Sequence, residues 1–95
     1  MRDEVQDRYG NPIYLTDERW QHIVDHHPEL NGHRAEVLSA IRSGKRRQAP
    51  LYPDTFYYVK TFPRLKGKLR YIQVVVAFHW KGDQPNNFVV TAHPV

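Results

Sequence analysis

The chain is 95 residues long, contains no cysteine and carries a formal net charge of +4 with its six histidines counted as neutral. A chain of this length buries about 60–70% of its unfolded surface, which predicts a single domain over residues 1–95. The absence of cysteine excludes a disulfide scaffold, a thiolate zinc site and an iron–sulfur cluster. The longest apolar run, residues 74–78, is too short to span a membrane, and the charged N-terminus is unlike a signal peptide. We therefore expect a cytoplasmic protein with no membrane partner.

The charges are separated along the chain. Residues 1–41 hold four basic and eight acidic side chains, whereas residues 42–70 hold nine basic side chains and a single acidic one. A concentrated basic block of this kind indicates a polyanionic partner. The alternative, from charge alone, is a solvated face that keeps the protein soluble.

The first third of the chain predicts two extended segments followed by a helix. Residues 5–15 form two short extended pieces around a turn at Gly10–Pro12. Thr16 is suited to cap a helix, and an apolar stripe then follows at helical spacing: Trp20, Ile23, Val24 and His27. Pro28 disfavours helical geometry at the residue before it, so this helix ends at His27 or just before.

The rest of the chain predicts a second helix and then strands. The second helix starts near Asn31 or Gly32 and stops at Ser43–Gly44. Three segments rich in β-branched and aromatic residues are predicted to be strands: 55–62, 68–80 and 87–93. Two N-terminal helices before three or four antiparallel strands predict an α+β fold with both helices packed on one face of the sheet.

Three of the histidines lie close together on the first predicted helix. At 100° per residue, His22 and His26 lie on the face opposite the apolar stripe, with Arg19 beside them. His27 lies near the stripe instead, at the end of the helix. Two imidazoles suit general acid–base catalysis near neutral pH. The alternative is that His22 and His26 are exposed helix residues and that His27 caps the helix or closes the core.

The spacing of His22 and His26 also resembles half of a zinc motif. That motif carries a catalytic glutamate directly after its first histidine, where this chain has Ile23. A third ligand would have to come from His93, Asp25 or Glu29. The motif is incomplete, so we predict neither a metal site nor a cofactor.

The predicted strands add polar groups that suit RNA cleavage. Alternation along the last strand places Thr91 on the same face as His93. Tyr58 lies on the first predicted strand, where a tyrosine commonly packs into a core but also offers a hydroxyl. Cleavage of RNA without a metal needs a base for the 2′-hydroxyl, an acid for the leaving 5′-oxygen and groups that stabilise the phosphorane. Neither a glycine-rich phosphate loop nor a Gly-x-Ser-x-Gly motif is present.

Residues 13–30 (Ile-Tyr-Leu-Thr-Asp-Glu-Arg-Trp-Gln-His-Ile-Val-Asp-His-His-Pro-Glu-Leu) resemble small phage- and bacteria-associated families of the barnase–EndoU–colicin–RelE nuclease superfamily. The resemblance continues through residues 37–41, Tyr57–Tyr58, residues 74–76 and residues 89–92. It implies N-terminal helices followed by a four-stranded antiparallel sheet, and a domain that cleaves or binds RNA without a metal.

The resemblance also implies roles for individual residues. His22 and His27 match the helical His and His-Pro-Glu positions, and Thr91 matches a hydroxyl residue of the last strand. Polar groups from the sheet would come from Tyr58, Lys60 and Arg70. The predicted catalytic set is therefore His22, His27, Thr91 and Tyr58. The predicted nucleic-acid-binding set is Arg19, Arg46, Arg47, Lys60, Arg64, Lys66, Lys68 and Arg70.

These expectations combine into a metal-independent endoribonuclease of the toxin or phage-defence type, in which His22 and His27 share the acid and base roles. Its predicted partners are RNA, with tRNA as one candidate, and a cognate inhibitor protein. Two alternatives stay open: a non-catalytic RNA-binding module, and a protein-interaction subunit of a larger complex.

Overall fold

The computed structural model describes residues 1–95 and contains six strands and two α-helices. In chain order the elements are β1 (Arg2–Gln6), β2 (Pro12–Thr16), α1 (Asp17–His26), α2 (Arg34–Ser43), β3 (Lys45–Gln48), β4 (Thr55–Thr61), β5 (Tyr71–Lys81) and β6 (Gln84–Pro94). Short 3-10 helices cover Pro28–Leu30 and Gly67–Arg70. Neither α-helix has the length and apolar character of a membrane span.

All six strands form one mixed sheet in the order β1-β2-β6-β5-β4-β3. The prediction of a three- to four-stranded antiparallel sheet preceded by helices was therefore wrong. The N-terminal hairpin of β1 and β2 joins the sheet because β2 pairs in parallel with β6 at Tyr14 and Phe88. The strand β3 was missed because its sequence, Lys-Arg-Arg-Gln, has no apolar alternation, which is common for a charged edge strand.

The two helices begin and end close to where the sequence predicts. The Thr16 hydroxyl oxygen accepts a hydrogen bond from the Arg19 backbone N–H and caps α1, which ends at His26, two residues before Pro28. The second helix starts at Arg34, slightly later than predicted, and ends at Ser43. Local signals were sufficient here because caps and helix breakers act within a few residues of the backbone they affect.

One face of the sheet carries the hydrophobic core. Alternate residues of β5 point to this face and are fully buried: Ile72, Val74 and Val76. Ile23 of α1 and Val37 and Ile41 of α2 are also fully buried and complete the cluster. Burial of each such side chain contributes about 1.5–3 kcal/mol, so this face provides most of the stability of the fold.

The turn between β1 and β2 reaches the opposite end of the same sheet. The Tyr58 hydroxyl of β4 donates a hydrogen bond of 2.6 Å to the Asp7 carboxylate, and Arg46 of β3 lies 3.6 Å from the same carboxylate. The Arg46 guanidinium also lies over the Tyr9 ring, 4.3 Å from its centroid. The sheet therefore curls around its core.

The other face of the sheet has no helix over it, because both helices place their buried residues on the core side. Strand pairing arranges the side chains of this uncovered face in rows. One row consists of Arg47, Tyr57, Val75 and Thr91, and the next consists of Lys45, Val59, Gln73 and His93. None of these eight side chains is fully buried.

Candidate active site

His27 and His93 form a pair of imidazoles at one end of the uncovered face. Their ring centroids are 5.8 Å apart. α1 directly follows β2 and packs against β6, so the residue after the last turn of α1 comes beside the end of β6. The backbone N–H of His27 donates to the Ile23 carbonyl as the helix ends, and Pro28 then turns the chain away. The position of His27 is thus fixed by the helix end.

Polar groups orient both rings of this pair. His27 Nδ1 lies 3.5 Å from a Glu29 carboxylate oxygen, and about a third of the His27 side chain is exposed. His93 Nδ1 lies 3.1 Å from the Pro94 carbonyl oxygen, and His93 Nε2 lies 3.4 Å from the Gln73 amide nitrogen. A carbonyl only accepts, so this network assigns the His93 proton to Nδ1, and the Nε2 lone pair accepts from the Gln73 amide. That tautomer is the one a general base needs.

Thr91 lies on the same strand face as His93, as the alternation of the sequence predicts. Two residues along a strand correspond to about 7 Å between Cα atoms. Val90 is the additional residue of a β-bulge, since Val75 pairs with Thr91 while Val76 pairs with Val89. After this bulge, Thr91 pairs with Val75 and His93 pairs with Gln73, so both side chains lie on the uncovered face. Thr91 therefore places a hydroxyl one row away from the histidine pair.

The structure does not bring His22 to His27. Five residues of helix correspond to a rotation of about 140°, so the two side chains leave α1 in different directions. His22 instead stacks on His26, with ring centroids 4.3 Å apart, and His26 Nδ1 bonds the His22 carbonyl oxygen. Both histidines are exposed, and His22 lines a shallow depression with Arg19.

Tyr58 lies in the core with no exposed surface. Burial, together with donation of its hydroxyl to the Asp7 carboxylate, raises the pKa of Tyr58 well above its usual value. The hydroxyl thus keeps its proton and has no access to RNA. Strand alternation directs Tyr57, not Tyr58, to the uncovered face, so Tyr58 lies apart from Thr91 of the predicted catalytic set.

Asp7 is the acceptor at the centre of this buried network. Burial by itself would disfavour its charge, but donation from the Asn11 side chain, from Tyr58 and from the backbone N–H groups of Asn11 and Tyr9 outweighs it. The pKa of Asp7 is therefore lower than usual. The network contributes to stability and lies on the core side of the sheet, away from His93.

The eight predicted RNA-binding cations divide into two groups. Arg46 is occupied by Asp7 and by aromatic rings, and Lys60 donates to the hydroxyls of Ser39 and Ser43 at 2.7 and 2.8 Å. The remaining six have no carboxylate partner: Arg19, Arg47, Arg64, Lys66, Lys68 and Arg70. The Arg47 guanidinium lies 5.0 Å from the centroid of the Tyr57 ring on the uncovered face. This pair combines a cation with a surface for stacking.

No three His, Asp or Glu side chains come together in a way that could hold a metal ion. The pairing of His22 with His26 therefore has no third ligand, and Asp25 instead accepts a hydrogen bond from the Gln21 amide. The candidate chemistry of the histidine pair is acid–base chemistry.

The sequence analysis placed His93 on the same strand face as Thr91, but it included neither His93 nor Gln73 in the predicted catalytic set. No sequence pattern marked Gln73, since its position beside His93 depends on the register between β5 and β6. Comparisons with protein-family models, curated proteins and solved structures give no match to this chain.

Proposed function

We propose that this protein is an endoribonuclease that cleaves single-stranded RNA without a metal ion, with His27 and His93 as its acid–base pair. The observation that carries the proposal is the 5.8 Å separation of the two imidazoles at the end of an uncovered, basic and aromatic sheet face. Unstacked bases bind to aromatic side chains whatever their sequence, and basic side chains hold the phosphates. An open face with stacking and basic side chains suits a single strand, whose bases are free to stack.

The proposed reaction uses the 2′-hydroxyl of the RNA as the nucleophile. His93 Nε2 takes the proton of the 2′-hydroxyl, while the 2′-oxygen forms a bond to phosphorus and the bond from phosphorus to the 5′-oxygen breaks. Protonated His27 gives its proton to the departing 5′-oxygen. The products are a 2′,3′-cyclic phosphate and a 5′-hydroxyl, and the two histidines exchange protonation states.

Neighbouring side chains supply orientation and charge stabilisation in this scheme. Glu29 lies on the Nδ1 side of His27, which leaves Nε2 as the nitrogen that donates the proton. The Thr91 hydroxyl can donate a hydrogen bond to a phosphorane oxygen from the same strand face, and the Gln73 amide orients the His93 ring until the 2′-hydroxyl takes its place at Nε2. Such donors act most strongly when they are already in place before the charge develops.

A non-catalytic RNA-binding module is the second candidate. The stack of Arg47 on Tyr57 favours it, because this pair holds a nucleotide without any contribution from the histidines. The two candidates differ in their products and not in their affinity for RNA. A cleavage assay therefore separates them.

The test is cleavage of an end-labelled, unstructured RNA in the presence of EDTA. The wild type is compared with His93→Ala and with His26→Ala, a control histidine that is exposed on α1 and bonds only the His22 carbonyl. We expect EDTA-resistant cleavage with cyclic phosphate ends, abolished by His93→Ala and retained by His26→Ala. Retained binding without cleavage by the wild type would favour the binding module, and loss of cleavage in EDTA would contradict the metal-independent mechanism.

A further inference from the structure

A basic cleft lies where α2 ends and β3 begins, outside the histidine pair. Its volume is about 430 Å³, and none of the proposed catalytic groups lines it. The side chains that give it chemical character are Arg8, Lys45 and Lys60, the hydroxyls of Ser43 and Thr61, and the ring of Tyr71. We call this site the Arg8 cleft.

The Arg8 cleft contains three cations and no carboxylate. The Arg8 guanidinium donates to the backbone carbonyl oxygen of Ser43, and Lys60 Nζ donates to the hydroxyls of Ser39 and Ser43. Lys45 has no ion-pair partner and is exposed. Three positive charges that meet only neutral oxygen acceptors repel one another, and a bound anion would relieve that repulsion.

Gly44 sets the shape of the cleft. A Cβ atom at this position would lie 2.3 Å from the Ala40 carbonyl oxygen and 2.9 Å from the Val59 carbonyl oxygen. Only a glycine allows the end of α2 to approach the backbone of β4 so closely. This close approach holds Ser43, on the helix, and Lys60, on the strand, in fixed positions around the cleft.

The Arg8 cleft is continuous with the uncovered sheet face. Lys45 and Val59 line the cleft and belong to the same row as Gln73 and His93. Three strand spacings of about 4.8 Å place the two ends of this row about 14 Å apart. That distance corresponds to about four nucleotides stacked at about 3.4 Å each, and to fewer in an extended strand.

We propose that the Arg8 cleft binds a backbone phosphate of the same RNA strand that the histidine pair cleaves, with Tyr71 as the stacking surface for an adjacent base. About half of the Tyr71 side chain is exposed, which leaves its ring accessible. This inference rests on the proposed ribonuclease function and adds its substrate class. The substrate is a single strand with at least one phosphate beyond the scissile one.

The test compares a dinucleoside monophosphate with a hexanucleotide as substrates. The dinucleotide has a single phosphate, which has to occupy the scissile position, so it cannot fill the Arg8 cleft. For Arg8→Gln we expect KM for the hexanucleotide to rise about 10-fold, as for loss of a charge-assisted hydrogen bond, with dinucleotide cleavage unchanged. Arg42→Gln is the matched control, because Arg42 is an exposed α2 cation outside the cleft.

The outcomes separate this inference from the proposed function. If the wild type cleaves the hexanucleotide and Arg8→Gln leaves its KM unchanged, the Arg8 cleft has no role and the ribonuclease proposal stands. If the wild type cleaves neither substrate, the ribonuclease proposal fails. Binding of an all-2′-deoxy hexanucleotide then tests the cleft without cleavage: weaker binding by Arg8→Gln supports a strand-binding cleft, and equal binding overturns it.

Discussion

Tyr57 and Tyr58 are neighbours in the sequence and lie on opposite faces of β4. Tyr58 is fully buried and donates to Asp7, whereas Tyr57 is half-buried beneath the Arg47 guanidinium on the uncovered face. Arg46 and Arg47 divide in the same way, since Arg46 binds Asp7 on the core side and Arg47 faces outward. A basic and aromatic segment that looks uniform in the sequence therefore contains alternating structural and surface residues.

Substitutions on the two faces of the sheet should therefore cause different defects. Changes on the core face should lower the free energy of unfolding and leave the intrinsic affinity for RNA intact. Changes on the uncovered face, or in the histidine pair at its end, should lower cleavage or binding without loss of stability.

The largest expected effect is that of His27→Ala. Loss of a general acid lowers kcat about 100- to 10,000-fold. A substitution at a partly exposed position changes the free energy of unfolding by only about 0.5 kcal/mol. Single-turnover cleavage and a urea titration measure both quantities. A variant that loses activity only in proportion to lost stability would contradict the catalytic role.

Asp7→Asn should produce the largest loss of stability. The carboxylate accepts several hydrogen bonds in a fully buried position, so its loss should cost about 2–4 kcal/mol at pH 7. The pKa of Asp7 is lower in the folded protein than in the unfolded chain. Its contribution is therefore complete above the unfolded value of about 3.9 and is lost as pH falls through the lower folded value.

The measurement for Asp7 is urea unfolding of the wild type and Asp7→Asn at pH 7 and near pH 3. The difference between the two proteins should shrink at the lower pH. Asp25→Asn is the matched control, since Asp25 is exposed and accepts only from the Gln21 amide. An equal difference at both pH values would show that the charge of Asp7 does not stabilise the fold.

The two tyrosines provide the next test as a pair. Tyr57→Leu should weaken binding of single-stranded RNA by about 1–3 kcal/mol through loss of base stacking and leave stability nearly unchanged. Tyr58→Phe should lower the free energy of unfolding by about 1–2 kcal/mol through loss of the hydrogen bond to Asp7, with RNA affinity intact. Fluorescence anisotropy and thermal unfolding of both variants measure the two effects. If both variants show the same defect, the division of β4 into a buried face and an RNA-binding face is wrong.

The smallest expected effect concerns salt. Each phosphate contact on a single strand contributes about 0.7 to the slope of log K against log salt, so Arg47→Gln should reduce that slope by about 0.7. Arg46→Gln should leave the slope unchanged and destabilise the protein, because Arg46 is held by Asp7. Titrations of labelled RNA at several salt concentrations distinguish the two.

The sequence predicted the helices better than the sheet. The cap at Thr16, the stop at Pro28 and the end of α2 at Ser43–Gly44 are local signals, and the structure follows them. The parallel pairing of β2 with β6 joins residues more than seventy positions apart, and no local pattern specifies it. Within the site, alternation predicted the shared face of Thr91 and His93. The approach of His27 to His93 depends on how α1 packs against β6 and could not be predicted from spacing.

The central claim is that RNA binds to the uncovered face of the sheet. Its most direct test is to map RNA contacts on the protein by NMR. A titration with an all-2′-deoxy hexanucleotide, which lacks the reactive hydroxyl, would record backbone and imidazole shifts without cleavage. The account predicts that the largest shifts occur at Tyr57, Thr91 and His93 on the uncovered face, with His22 and the buried Val37 unaffected. Shifts confined to the outer face of α1 around His22 and His26 would contradict it.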